Sequence, residues 1–289
     1  MIRRILLMVL IVTVVAGTAL FAAGQAEREA PDSGQDQTAL ERTTQDPRLY
    51  TPGKLTVATG DPVYPPWMLN DDPAGGEGFE NGLVYALAKE MGFEYDDVVW
   101  ITQTFDQGIA PGPKPFDFVI QQYSVTEPRR EFVDFSIVYY QPEKAVIALS
   151  DSGISNARTF ADLRKFRWGA TIGTTDLDYL ERIVGIKNVA VYDNQIGTFQ
   201  ALLAGQIDGT VQSVPTALYV TAVQVPETEI TALLPSDKND LGHGLVFEKG
   251  SPLVGWVNDA LKAIIDRGVV DELNQTYLVG DDSIPEITE

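Results

Sequence analysis

Apolar residues recur along this chain at two spacings, and the two alternate. Residues 54–58, Lys-Leu-Thr-Val-Ala, read as a short strand leading into a turn. Residues 81–91, NGLVYALAKEM, carry apolar side chains at helical spacing and stop at Gly92, a residue type that ends helices. Residues 98–102 and 116–120 read as strands, the second preceded by the stiff loop APGPKP at 110–115, and residues 144–149 as another strand. A second unit opens with a helix at 159–165 and a strand at 167–172. Gly173-Thr174-Thr175 then starts a helix running to 184. A strand at 189–192, a helix at 196–204 ending at Gly205, and a strand at 207–211 complete it. Residues 244–247 return as a strand before two terminal helices at 252–267 and 270–278.

This β-α-β-α-β rhythm predicts an α/β fold with parallel sheets and helices on both faces. One unit interrupts another, so the expected shape is two lobes joined by two crossover links, with a cleft between them as the natural ligand site. The richest junction is FDFVIQQYSVTEPRR at 116–130. Its strand ends abruptly in Gln121, Gln122 and Ser124, Thr126 can cap the following turn, and Arg129 sits one turn in. Polar groups at the C-terminal end of a strand are where open α/β sheets bind small ligands, and a guanidinium there suits a carboxylate.

Composition narrows the class. With 289 residues, 44% of them hydrophobic and 21% charged, the chain has material for two compact domains. It carries 41 acidic against 21 basic residues, a net charge of −20, and no Lys/Arg run of five, which argues against a nucleic-acid partner. Residues 1–26, with Arg3 and Arg4 before an apolar run and the small-residue exit AAGQA, read as a secretory signal; an uncleaved anchor is the competing reading. Residues 27–50 are polar and read as a flexible linker. There is no cysteine, hence no disulfide and no lipid-attachment thiol after the signal, which suits a free periplasmic protein.

Four stretches in order give a resemblance. They are TGDPVYPPW at 59–67, SVTEPR at 124–129 followed by VDFS at 133–136 and Tyr139-Tyr140, the glycine-threonine loop at 169–175, and AGQIDG at 204–209. Together they resemble the extracellular solute-binding proteins of family 3, over about residues 55–278. The resemblance implies the two-lobe periplasmic binding protein fold of type II, each lobe a mostly parallel sheet flanked by helices. It divides the chain into lobe one at 51–141 plus 245–289 and lobe two at 142–244. It also implies a substrate-binding component of an ABC importer, with a small carboxylated solute such as a polar amino acid as ligand and a membrane permease as partner. No cofactor, metal or nucleic acid is expected, and the protein should be a monomer.

Carried over residue by residue, Arg129 would clamp the ligand carboxylate, with Thr174 and Thr175 donating from lobe two. Ser124 and the backbone around Gln122 would accept from an ammonium. Tyr64 and Phe105 would sandwich the ligand side chain, and Asp61 would read a polar or cationic tip. Gln121, Thr171 and Ser213 complete the expected lining. Two departures stand out. Ser213 occupies the position where such proteins usually carry an acid for the α-ammonium, and Gln121-Gln122 replace smaller polar residues. Two rival readings use the same fold: a dehydratase-like enzyme, and a ligand-binding partner of a chemosensory receptor. Against the first, His243 is the only histidine and lies in a glycine-flanked link, and the chain has no nucleophile elbow, no HExxH and no phosphate loop. Against a fused sensor, no membrane segment follows residue 278.

Overall fold

A computed structural model of the chain describes residues 41–278 and 284–288. The signal reading of 1–26 and most of the linker reading therefore fall on residues outside those described. Two layers of five strands carry the architecture, the first one continuous sheet and the second a three-stranded and a two-stranded sheet. The first uses β1 (Leu55–Thr59), β2 (Val98–Thr102), β3 (Phe118–Val119) and β4 (Val133–Phe135), and later β10 (Val246–Glu248), in the order β2-β1-β3-β10-β4. β1 pairs in parallel with β2 and β3, whereas β10 runs antiparallel to both β3 and β4. Every residue of β1 is buried, as expected of a strand covered on both faces. One face packs on α1 (Phe79–Glu90) with the C-terminal helices α8 (Val254–Asp266) and α9 (Val269–Tyr277), where Leu83, Leu87, Val257 and Leu261 are fully buried. The other face holds Val119, Tyr123, Val125 and Val246 against α2 (Phe105–Ile109). The short helix α3 (Glu127–Arg130) leads into β4.

The second layer uses β5 (Lys144–Leu149), β6 (Gly169–Thr171), β7 (Ala190–Tyr192), β8 (Gly209–Ser213) and β9 (Thr228–Leu234). β5 runs antiparallel to β8 and β9, β6 runs parallel to β7, and a parallel bridge from Trp168 to Gly209 joins the two sets. The two layers therefore follow one plan: four strands run one way and the strand arriving through a crossover runs against them. Helices α4 (Phe160–Leu163), α5 (Thr175–Asp178), α6 (Gln195–Leu203) and α7 (Val214–Tyr219) cover this layer, and α5 continues as a π-helical stretch, Tyr179–Val184.

Several local readings change. Residues 43–49 are not part of a free linker: Asp46 is buried, accepts from Arg48, and lets Leu49 enter the core. A two-residue ion pair satisfies the turn's polar groups, so its polar composition does not keep it in solvent. Residues 285–288 pack on the second layer rather than the first, with bridges to Leu233 and Thr159 and Ile287 buried among its apolar residues. β8 begins two residues later than its apolar run, because Asp208 is spent on the Arg167 backbone and side chain. β4, β9, α2 and α7 had no counterpart in the sequence reading.

The two crossovers lie side by side. His243 N donates to Tyr140 O at 2.7 Å, Tyr139 N to His243 O at 2.9 Å, and Val125 N to Gly242 O at 2.7 Å. Gly242 has φ +104°, and a Cβ there would meet Val138 Cγ1 at 2.6 Å and the Tyr140 carbonyl at 2.7 Å. Glycine is the residue this junction admits.

Candidate ligand-binding cleft

Every strand of the common direction that reaches the middle of the molecule ends in a loop facing one cavity. Asp61 and Tyr64 follow β1, Thr102 and Phe105 close β2, and Gln121, Gln122 and Ser124 follow β3. From the other side come Thr171, Thr174 and Thr175 after β6, Asp193 to Gln195 after β7, and Ser213 and Thr216 at β8 and α7. The cavity holds about 470 Å³, room for an amino-acid-sized ligand, and the eleven residues expected from the sequence all line it.

Arg129 is oriented by what precedes it. Thr126 caps α3 and accepts from Arg129 N at 3.4 Å. Its Nη1 donates to Ser124 O at 2.7 Å, its Nη2 to Gly173 O at 2.8 Å, and the guanidinium lies 5.6 Å from the Phe105 ring centroid. Two of five N–H donors are spent on carbonyls, which locks the plane of the fork and leaves the rest for a ligand. Burial lowers the Arg129 pKa and the Asp240 charge opposes that shift. Phe105 is braced by Tyr123, whose ring stacks at 4.4 Å and whose hydroxyl donates to Phe105 O at 2.7 Å. Burial pushes the Tyr64 phenol up to about 12, so it is a neutral hydroxyl at any physiological pH.

A closed polar ring, absent from the sequence reading, joins the lobes beside Arg129. Lys144 Nζ donates to Asp176 Oδ1 at 2.7 Å and Thr175 Oγ1 at 3.0 Å and lies 3.5 Å from Asp240 Oδ2. Ser124 donates to Asp240 Oδ2 at 2.8 Å and lies 3.2 Å from Thr175 Oγ1. Burial works to lower the Lys144 pKa, but Asp176 and Asp240 prevail and hold it above the ordinary value. Burial works to raise the Asp240 carboxyl, and Lys144 and Ser124 bring it below the usual range. The ring explains why a lysine can be 8% exposed: its charge is fully paired. It also commits the Ser124 and Thr175 hydroxyls, while Thr174 caps α5, accepting from Leu177 N and donating to Thr171 O. What the second lobe offers an anion here is the backbone at the start of α5.

Among the described residues, Ser213 bonds to no cationic group through its hydroxyl. It stands opposite Lys144 in the β5–β8 register, and its hydroxyl donates to Thr216 Oγ1 at 3.0 Å, which also accepts from Trp67 Nε1 at 2.8 Å. Trp67 to Thr216, Ser124 to Thr175 and Arg129 to Gly173 all cross the cleft. His243 is buried against Trp67, Tyr139 and Tyr140, and burial pushes it down to about 3 despite Asp240, so it stays neutral. Among cavity-lining charges, Asp61 and Asp193 have no ion-pair partner among the described residues. Lys144 was legible only as a strand residue and Asp240 not at all, since each acts through partners distant in sequence.

Two like-built lobes, two adjoining crossovers and a cavity lined from both sides define a cleft-binding protein. The sequence pattern of bacterial extracellular solute-binding proteins, family 3, matches residues 55–280. An arginine-binding periplasmic protein of Mannheimia haemolytica is 28% identical over 227 residues, 76% of this chain and 90% of that relative. The ABC transporter arginine-binding protein 1 of Escherichia coli K12 is 30% identical over 69% of this chain and 81% of its own length. Among solved structures, a periplasmic binding protein of Salmonella typhimurium described for high arginine specificity superposes with a TM-score of 0.65 at 25% identity, covering 78% of this chain and 99% of that one. The chain belongs to the family 3 extracellular solute-binding proteins.

Proposed function

We propose that this protein is the periplasmic substrate-binding component of an ABC importer and that it captures an amino acid with a cationic side chain. The observation that carries the reading is the pairing, in one cavity, of the braced Arg129 fork with the unpaired carboxylates Asp61 and Asp193. A free amino acid presents an anion at one end, and a basic one presents a cation at the other. Arg129 takes the carboxylate together with the backbone at the start of α5, Phe105 and Tyr64 flank the aliphatic stem, and Asp61 and Asp193 face the side-chain cation. The relatives named for arginine support that polarity. Residues 1–26 direct export and the chain acts as a monomer that hands its ligand to a membrane permease. Binding brings lobe two onto a ligand already held by Arg129, and cross-cleft hydrogen bonds such as Trp67 to Thr216 and Arg129 to Gly173 keep the closed form.

A thermal-shift screen of the protein from residue 27 onward tests this, because a ligand that binds the native state raises the melting temperature. L-Arginine and L-lysine should give the largest shifts. A larger shift from a dicarboxylate or a carboxylate without a cation would reject the cationic-ligand reading.

A further inference from the structure

The cavity has no acid at Ser213 to meet an α-ammonium, yet a buried acid stands directly behind its lining. Glu80, the second residue of α1, is 0% exposed. Its Oε1 accepts from Gln122 N at 2.9 Å and from the Tyr139 hydroxyl at 2.6 Å, and its Oε2 accepts from Gln122 Nε2. Gln122 lines the cavity and adopts φ +51°, a left-handed conformation that a side-chain-bearing residue rarely takes and that needs holding in place. Glu80 supplies that hold through both the backbone and the side chain. An ionised carboxylate only accepts, so it must face the amide NH2 of Gln122, and the amide oxygen is then the group left for the cavity.

From this geometry we infer that Glu80 is a positioning residue for ligand capture: ionised, it turns the Gln122 amide oxygen toward the ligand ammonium, and protonated, it reverses that amide. A proton on Oε2 would point at the NH2 group. Relief comes when the amide rotates, so that its oxygen accepts from Glu80 and its NH2 faces the ligand. An acceptor for an ammonium thereby becomes a donor that repels it.

The groups around Glu80 leave the switch to Glu80 itself. Tyr139 and Tyr123 are buried phenols held above 10, and among the described residues no lysine or arginine pairs with it. His243, whose ring lies 6.2 Å from that of Tyr139, is neutral. Burial pushes Glu80 up to about 7, against its hydrogen bonds from Tyr139 and Gln122, which puts the change in a physiological window. Asp117, pushed up to about 6, titrates nearby in pH but sits before β3, whereas Gln122 follows it.

The inference rests on the amino-acid reading above, and calorimetric titration of L-arginine from pH 8 to pH 5.5 separates the two. With Glu80 titrating near 7, the ionised form becomes the minor one by pH 5.5, so the apparent affinity of the wild type should drop on the order of tenfold or more. Glu80→Gln carries an NH2 where the proton would be; it should bind weakly at pH 8 and show no further loss at pH 5.5. Gln122→Met keeps Glu80 but removes the amide, and should also flatten the profile. A wild-type affinity constant across this range, or a slope that survives both substitutions, overturns the switch while leaving the amino-acid reading intact. Absence of binding by every amino acid at pH 8 overturns both.

Discussion

Arg129 concentrates the account at the residue scale. Its plane is set by two carbonyls on opposite sides of the cleft, so its removal would take away the proposed ligand contact and a lobe-to-lobe contact together. Arg129→Ala should cost about 2–5 kcal/mol of ligand binding, read by calorimetry, because the carboxylate is desolvated without its partner. Ser213 gives a prediction of opposite sign. It sits beside paired rather than free charges, so Ser213→Asp adds a carboxylate at the cavity wall and should tighten binding of an α-amino acid several-fold, measured the same way. A weaker affinity for every amino acid tested would mean this wall does not face the ammonium. Gln121, Gln122, Ser124 and Arg129 were legible in the sequence because they cluster directly after one strand. Glu80 was not, because it falls just before the helix read at 81–91, and its partner Gln122 is far along the chain.

Elements with their own periodicity or apolar run were readable in advance: β2 and β5 fall where the apolar runs put them, and α1 and α8 differ only by a turn or less. β9 escaped because it begins Thr-Glu between prolines and pairs with β5 through an irregularity at Val146/Ile147, so its burial does not alternate. α2 escaped because a five-residue helix has no period to display; its Thr104–Gln107 capping box is the signal that marks it. The crossovers depend on Gly242 more than on any side chain. Gly242→Ala combines a left-handed backbone with a Cβ against the Tyr140 carbonyl, and should lower stability by about 1–3 kcal/mol in denaturant melts. Unchanged stability would show that the paired links are looser than their hydrogen bonds imply.

On the scale of the whole molecule, acidity and burial act in the same direction on stability. Glu80 and Asp117 have folded pKa values raised to about 7 and about 6, so the fold binds their protons more tightly than the unfolded chain does. Their contribution is present below the unfolded values and is lost as pH rises through 6 to 7. The net charge of −20 adds self-repulsion that eases as acids protonate. Asp46 and Asp134, held low by Arg48 and Lys249, lose their contributions only as pH falls below about 4. The melting temperature should therefore rise from pH 8 to about pH 5.5 and fall below pH 4. Glu80→Gln should be more stable than the wild type at pH 8 and should lose part of that slope. A wild-type melting temperature that falls between pH 8 and pH 5.5 would contradict the burial of these two acids.

The two-lobed plan gives the cleft its meaning: strands of both lobes supply its walls, and in the proposed reading a ligand with an anionic end meets the free donors of Arg129. Calorimetric titration of L-arginine against agmatine, its decarboxylated analogue, at pH 8 and on the unmodified protein, tests this most directly, since both keep amine and guanidinium charged and differ in the carboxylate. The acid should bind, and agmatine should be weaker by at least about a hundredfold, the loss of a charge-assisted pair in a buried site. Equal affinity for the two would contradict carboxylate capture by Arg129, and with it the orientation of the ligand in the cleft.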